Sequence, residues 1–426
     1  MNDCKTHMNR TSEIVLADKA TTASLRRNVS TTHLAPRPRQ EGPRTRVALF
    51  IGPVLTCLLL GGCATAPVEQ TERLMWPAPP LTTRIEFIRS IASQRDLTED
   101  TTFSQKIIGW LSGVEPPPQH IVEPMGLVTS DDGQRIYVSN YNRQAVLVFD
   151  FAQQTFRQIE SLLQPVGLAL DAEEQLYVVE QAKRQITVFD REGQQVRSIS
   201  HADIERPTGI AIDRARGRIY LADTGRSDVR SDTHQGHSVK IFNMGGELIG
   251  RIGQEKGEQP GQFMYPTYLA VDQAGNLYVS DTMNARVQQF DPDGSYMQTF
   301  GRRGDAWGMF DKPKGVALDS FGNLYVVDSG WSNVQIFNSK GEVLLFFGGR
   351  GPVPGMLKNP TAIAIDPSNR IYVADFINHR VNVYQLVNTS VEDSFSEPLA
   401  RTEGAQAAAG KQAAIDRTDR IPKGGE

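Results

Sequence analysis

The stretch "GNLYVSDTMNARVQQFDPDG", residues 275–294, decides the fold. Its apolar runs are short, rich in β-branched and aromatic side chains, and closed off by Gly, Asp and Asn. That is how a strand between turns reads. Working outward, the same arrangement appears six times, each copy opening on a proline: "PMGLVTSDDGQRIYVSN", "PVGLALDAEEQLYVVE", "PTGIAIDRARGRIYLAD", "PTYLAVDQAGNLYVSD", "PKGVALDSFGNLYVVD" and "PTAIAIDPSNRIYVAD". The prolines stand at 124, 165, 207, 266, 313 and 360, so the intervals are 41, 42, 59, 47 and 47 residues. Every copy runs on into a third apolar segment such as "VLVFD" or "VQIFN", and most into a fourth such as "EVLLFFG". Four short antiparallel strands at this period make one blade of a propeller. No unit holds ten residues of helical spacing, which excludes a helical repeat. The sequence therefore predicts an all-β, six-bladed β-propeller with four-stranded antiparallel blades.

The copies resemble the NHL repeat, whose blade reads roughly as Pro-x-Gly-(apolar)-Asp, then (apolar)-Tyr-Val-x-Asp-x-x-Asn-x-Arg, then Val-x-(apolar)-Phe, over about residues 84–386. Copies four and six come closest, with "DTMNARVQQF" and "DFINHRVNVY". Copy two departs with Glu180 in place of the Asp; copy five departs with Trp331 in place of the Asn and Asn333 in place of the Arg. Most of the repeat is scaffold. Asp281 and Arg286 are expected to pair, or to bond backbone, at the loop ends.

The ring must also close. After "VNVYQL" the sixth copy has no fourth strand, which would leave an open edge. Upstream of the first copy stands "RIEFIRSIAS", residues 84–93, very like the fourth strand "QQVRSIS" of copy two. It is expected to be the missing outer strand, stitching both ends of the chain into one blade. Between it and copy one, Phe103, Ile107, Ile108 and Leu111 fall at helical spacing and predict a short helix.

Ahead of the repeats, residues 1–43 are polar and rich in Arg and Thr. Arg44 and Arg46 then precede the apolar run 47–60 and "Leu60-Gly61-Gly62-Cys63". Fourteen apolar residues are short for a span, which takes about 20. They suit the core of a secretory signal peptide. The small residues before Cys63 resemble a bacterial lipobox, which implies lipid on that cysteine; a buried helix with an incidental cysteine is the alternative. The expected organisation is 1–62 leader and signal peptide, 63–83 Pro-rich tether, 84–386 propeller and 387–426 unstructured tail. It implies a lipid-anchored protein of the cell envelope, in the outer membrane where one exists. Cys63 is the last of three cysteines, so no disulfide framework forms.

Function has to come from residues that break the repeat. Loops after the second strands and connectors into the first strands emerge on one face, here the upper face. They carry Tyr141, Arg143, Arg226, Arg230, Arg302, Arg303, Trp307, Trp331 and Phe376. Arginine and aromatic residues together are what the centres of protein interfaces favour, and aromatic platforms also suit sugar rings. The expected function is non-catalytic: a scaffold binding an envelope protein or glycan, with no cofactor. A formal net charge of −4 gives no overall polycation for nucleic acid. The runner-up is a metal-dependent lyase or lactonase-like enzyme with a site in the central channel. NHL-like amidating lyases hold zinc there, and His234, His237 and His379 are this chain's weak candidates. No haem, phosphate-loop or nucleophile-elbow motif is present.

Overall fold

The structure, a computed structural model, describes residues 74–97, 119–225, 237–253 and 255–390. Six antiparallel sheets follow one another around an axis. Blade one is Pro124–Thr129, Arg135–Asn140, Ala145–Asp150 and Thr155–Ile159. Blades two to five repeat that meander in chain order, from Pro165–Leu170 to Val343–Gly348. Blade six takes Pro360–Ile365, Arg370–Asp375 and Arg380–Leu386 from the end of the repeats. Its fourth strand is Ile85–Ile91, paired antiparallel from Ile85 against Leu386 to Ile91 against Val381. The edge that sequence left open is covered as expected.

One strand was not expected. Met75–Trp76 pairs with Glu86 and Ile85, giving blade six a fifth strand inside the segment read as a tether. The cause is packing: the Trp76 ring lies 6.0 Å from Phe347 and 5.8 Å from Tyr384. At the other end, Val387 donates to the Arg84 carbonyl and Asn388 Nδ2 to that of Thr83, so the ladder continues past Leu386. The leader, Cys63, the helix read around Phe103–Leu111 and residues 391–426 lie outside the described residues.

Alternation along each strand sends apolar side chains toward both neighbouring blades. Six buried clusters result, one per joint. Val146, Leu168 and Val178 join blades one and two, and Val287, Val316 and Val326 join four and five. The joint between six and one is made in the same way, by Ile136, Val138, Tyr372 and Val381. Closure thus rests on burial as well as on hydrogen bonds. Each buried aliphatic side chain contributes about 1.5–3 kcal/mol.

The innermost strands come close together at the Gly of Pro-x-Gly. A Cβ on Gly126 would stand 1.9 Å from the Val166 carbonyl oxygen, and one on Gly209 would stand 2.4 Å from that of Thr267. Blade four places Tyr268 at this position, and its phenol is turned across the central channel. The hydroxyl donates to the Met125 carbonyl of blade one at 2.8 Å. The ring packs against both the four–five and the six–one clusters.

Candidate binding face

Each second strand ends in a buried polar anchor: Asn140, Glu180, Asp223, Asp281, Asp328 and Asp375, all 1% exposed or less. Each anchor accepts backbone amides from the connector entering its own blade. Asp223 takes Glu205 and Arg206, Asp328 takes Asp311 and Lys312, and Asp281 takes Met264 at 2.6 Å. Burial pushes the carboxyls of Asp281, Asp328 and Asp375 above the ordinary carboxylate value, against the pull of these bonds.

In blades four and six the rest of the signature clamps the connector to the anchor. Arg286 meets Asp281 at 2.9 Å and donates to the carbonyls of Glu258, Gln259 and Gln262. Asn284 bonds both the Gly257 carbonyl and Asp281. Arg380 repeats the pattern onto Pro352, Val353 and Met356, and Asn378 repeats it onto Gly351 and Asp375. The expected pairing of Asp281 with Arg286 is present, with the backbone bonds as well.

This network accounts for several residues read from sequence as partner-binding. Trp331 is only half-buried, yet its indole Nε1 donates to the Gly304 carbonyl at 3.1 Å. That is the bond the missing asparagine would make, so Trp331 is part of the scaffold rather than standing clear of it. Arg303 donates to the Met283 carbonyl at 2.6 Å and lies 3.6 Å from Asp311. Arg350 bonds Gly330 in the same way. Tyr141 is half-buried against the joint of blades two and three, and Phe376 is half-buried too. Arg143 and Arg302 are exposed, and Trp307 is 47% exposed, its ring edge-on to Phe346 at 4.7 Å. Arg226, Arg230 and His234 lie outside the described residues.

The histidines are tied to backbone. His237 Nδ1 accepts the Tyr265 amide at 3.0 Å, and burial holds its pKa down at about 4. His379 Nδ1 accepts the Glu123 amide at 3.2 Å from a left-handed turn position, φ 55°, where His is among the tolerated residues. His201 Nδ1 accepts the Asp203 amide. Among the described residues no three metal-ligating side chains come together.

Two features of the axis were missed from sequence. Lys314 follows the proline of blade five, where the other blades carry Met125, Val166, Thr208, Thr267 and Thr361. Burial and the neighbouring Lys312 hold its amine down to about 8. Tyr268 replaces the glycine of blade four. Both stand out among the six proline-led starts, four of which read Pro-x-Gly.

Charge is divided between the two faces of blades four to six. Above, Lys256, Arg302, Arg303, Lys312, Lys314, Arg350 and Lys358 of the connectors outnumber Glu255, Glu258, Asp305 and Asp311. Below, Asp272, Asp291, Asp293, Asp319, Glu342 and Asp366 outnumber Lys340 and Arg370.

The sequence matches the NHL repeat over residues 263–290 and 357–384, the stretches that carry the full clamp. Six four-stranded blades make the protein an all-β six-bladed propeller, and blades four and six carry NHL repeats. The protein brain tumor of Drosophila melanogaster is 27% identical over 143 residues, covering 32% of this chain and only 12% of that protein's length. A structural genomics protein of unknown function from Bacteroides thetaiotaomicron is similar at 16% identity and TM-score 0.49, over 62% of this chain and 70% of that one. Virginiamycin B lyase from Staphylococcus aureus is similar at 10% identity and TM-score 0.45, over 64% of this chain and 86% of that one. At these values neither likeness carries a function to this chain.

Proposed function

We propose that the protein is a non-catalytic binding scaffold of the cell envelope, held at a membrane by lipid on Cys63 and presenting its upper face to a protein partner. One observation carries the binding role. The upper loops of blades four to six are fixed from beneath by buried anchors and clamps, while Met283, Trp307, Val353 and Ile377 at their tips stay 41–54% exposed. Apolar side chains on a rigid, cation-rich surface are pre-organised for contact, so binding would lose little loop entropy. The NHL repeats support the same reading, since the family match falls on the clamped blades.

The test is in-envelope cross-linking of wild type, of Arg302→Ala/Trp307→Ala, and of a lower-face control, Asp293→Ala/Lys340→Ala. Exposed changes should alter stability by about 0.5 kcal/mol or less. Loss of an anchor at an interface typically costs about 2 kcal/mol or more of binding. Partner recovery should fall for the upper set alone. Identical recovery from all three proteins would refute the scaffold role. The anchor is tested separately with labelled fatty acid: Cys63→Ser should lose the label, and an unlabelled wild type would overturn the envelope assignment.

A further inference from the structure

The mouth of the channel holds a charge with no counter-charge among the described residues. Lys314 sits at the second residue of the innermost strand Pro313–Leu318, half-buried. Its amine makes no hydrogen bond or ion pair among the described residues, and the one charged group that acts on it is Lys312, which repels it. Its counterparts in the other five blades are neutral. A partly desolvated ammonium without a counter-ion is costly to keep. Tyr268 reaches across the channel from blade four to the Met125 carbonyl of blade one, and the mouth beside it, next to Lys314, forms a cup.

Around the cup, Arg302, Lys312 and Lys358 are exposed cations, while Arg303 and Arg350 are already bonded to carbonyls. The forks that recognise phosphate bidentately are thus largely committed, and lysine point charges remain. Between them stand Met283, Val353 and Ile377, exposed and apolar. A sugar–phosphate backbone offers such side chains no partner. A polypeptide that alternates carboxylates with apolar residues does.

Resting on the scaffold reading above, we propose that the upper mouth over blades four to six docks an acidic polypeptide segment, one carboxylate of which enters the cup and pairs with Lys314. Charge complementarity decides the occupant: the lower face of the same blades carries the opposite sign and would repel it.

The test uses the full chain and a short fluorescent peptide of glutamates interspersed with leucine and phenylalanine. Its glutamine counterpart, a single-stranded oligonucleotide and phosphatidylglycerol vesicles serve as the other arms. The acidic peptide should bind, and the glutamine peptide should bind at least about tenfold more weakly, the equivalent of about 1.4 kcal/mol. Lys314→Met should weaken the acidic peptide by a similar factor while leaving the melting temperature unchanged or higher, because a buried charge is removed. Lys314→Arg should retain most of the affinity, and Asp293→Lys on the lower face should change nothing. No binding of the acidic peptide, equal binding of the two peptides, or full affinity in Lys314→Met overturns the proposal. So does a preference for the oligonucleotide or the vesicles that depends on Lys314. If the Arg302→Ala/Trp307→Ala protein loses its cross-linked partners yet no acidic preference is found, the scaffold stands and this assignment falls.

Discussion

Blades three and four solve one problem in two ways. Both end their second strand in a buried aspartate, Asp223 or Asp281, that holds the incoming connector by its amides. In blade four the balancing cation is Arg286, directly across the ladder from Asp281, and its fork also grips three connector carbonyls. In blade three the residue across from Asp223 is Ser238, and the cation is Lys240, two positions further along the same face. Its ammonium meets Asp223 at 2.8 Å and is 2% exposed. The comparison separates two roles that the signature arginine combines. Neutralising the anchor needs only a positive charge; clamping the connector needs a planar fork. Blade three keeps the first role and drops the second, in the blade with the longest second-strand loop.

The sharpest way to break this comparison is Lys240→Met. It leaves Asp223 buried without its cation, and removing one partner of such a pair costs about 3–5 kcal/mol. Denaturant unfolding should show that loss, and Lys240→Met/Asp223→Asn should recover part of it. Full stability in the single variant would mean the amides alone satisfy Asp223.

Next in size is a pH effect that belongs to blade three. The folded protein resists protonation of His237, held at about 4, while the unfolded chain takes up the proton near 6.5. The associated stability is complete above pH 6.5 and is lost as pH falls toward 4, by about 3 kcal/mol at most. The raised Asp281, Asp328 and Asp375 contribute in the opposite sense at the acid end, so the readout is the difference between proteins. His237→Asn, whose Oδ1 can still accept the Tyr265 amide, should show a shallower acid slope than wild type. Parallel profiles would refute the assignment.

Arg286→Lys sharpens the comparison further by turning blade four into blade three. Charge is kept and the carbonyl bonds are lost, so a cost of about 1–3 kcal/mol is expected, together with faster amide exchange in the connector around Gln259–Gln262. Unchanged exchange would show that the clamp is not what holds it.

The smallest effect falls in blade two. Lys183 reaches Glu180 at 2.7 Å but is 35% exposed, and such pairs contribute under about 1 kcal/mol. Lys183→Ala should lower the melting temperature only slightly. A drop as large as that of Lys240→Met would mean that burial of the cation is not what separates the two pairs.

The repeat was legible because each strand writes its own periodicity and each turn its own Asp, Gly or Asn. The closing strand was legible because "RIEFIRSIAS" copies a fourth strand found elsewhere in the chain. Met75–Trp76 was hidden by Pro77, Pro79 and Pro80, whose composition reads as a tether even though Trp76 packs into blade six. Of the upper-face candidates, Arg143, Arg302 and Trp307 are exposed, whereas Trp331 and Arg303 are bonded into the loops. Residue type showed that these side chains were unusual but not which carbonyls lay within their reach. Lys240 and Lys314 were missed because each depends on register: one residue either way would leave a lysine in solvent.

The short strand at Met75–Trp76 also has a mechanical side. Tension applied to the chain ahead of Leu74 does not fall first on the ladder that closes the ring. It is met by the Leu74 carbonyl, which accepts the Phe87 amide, and by Trp76 wedged between Phe347 and Tyr384. Those two rings belong to blades five and six. A pull from the N-terminal side is therefore shared across a joint between blades, and the strand from Ile85 to Ile91 lies downstream of a strain relief, like a cable gripped by its housing before it reaches the terminal.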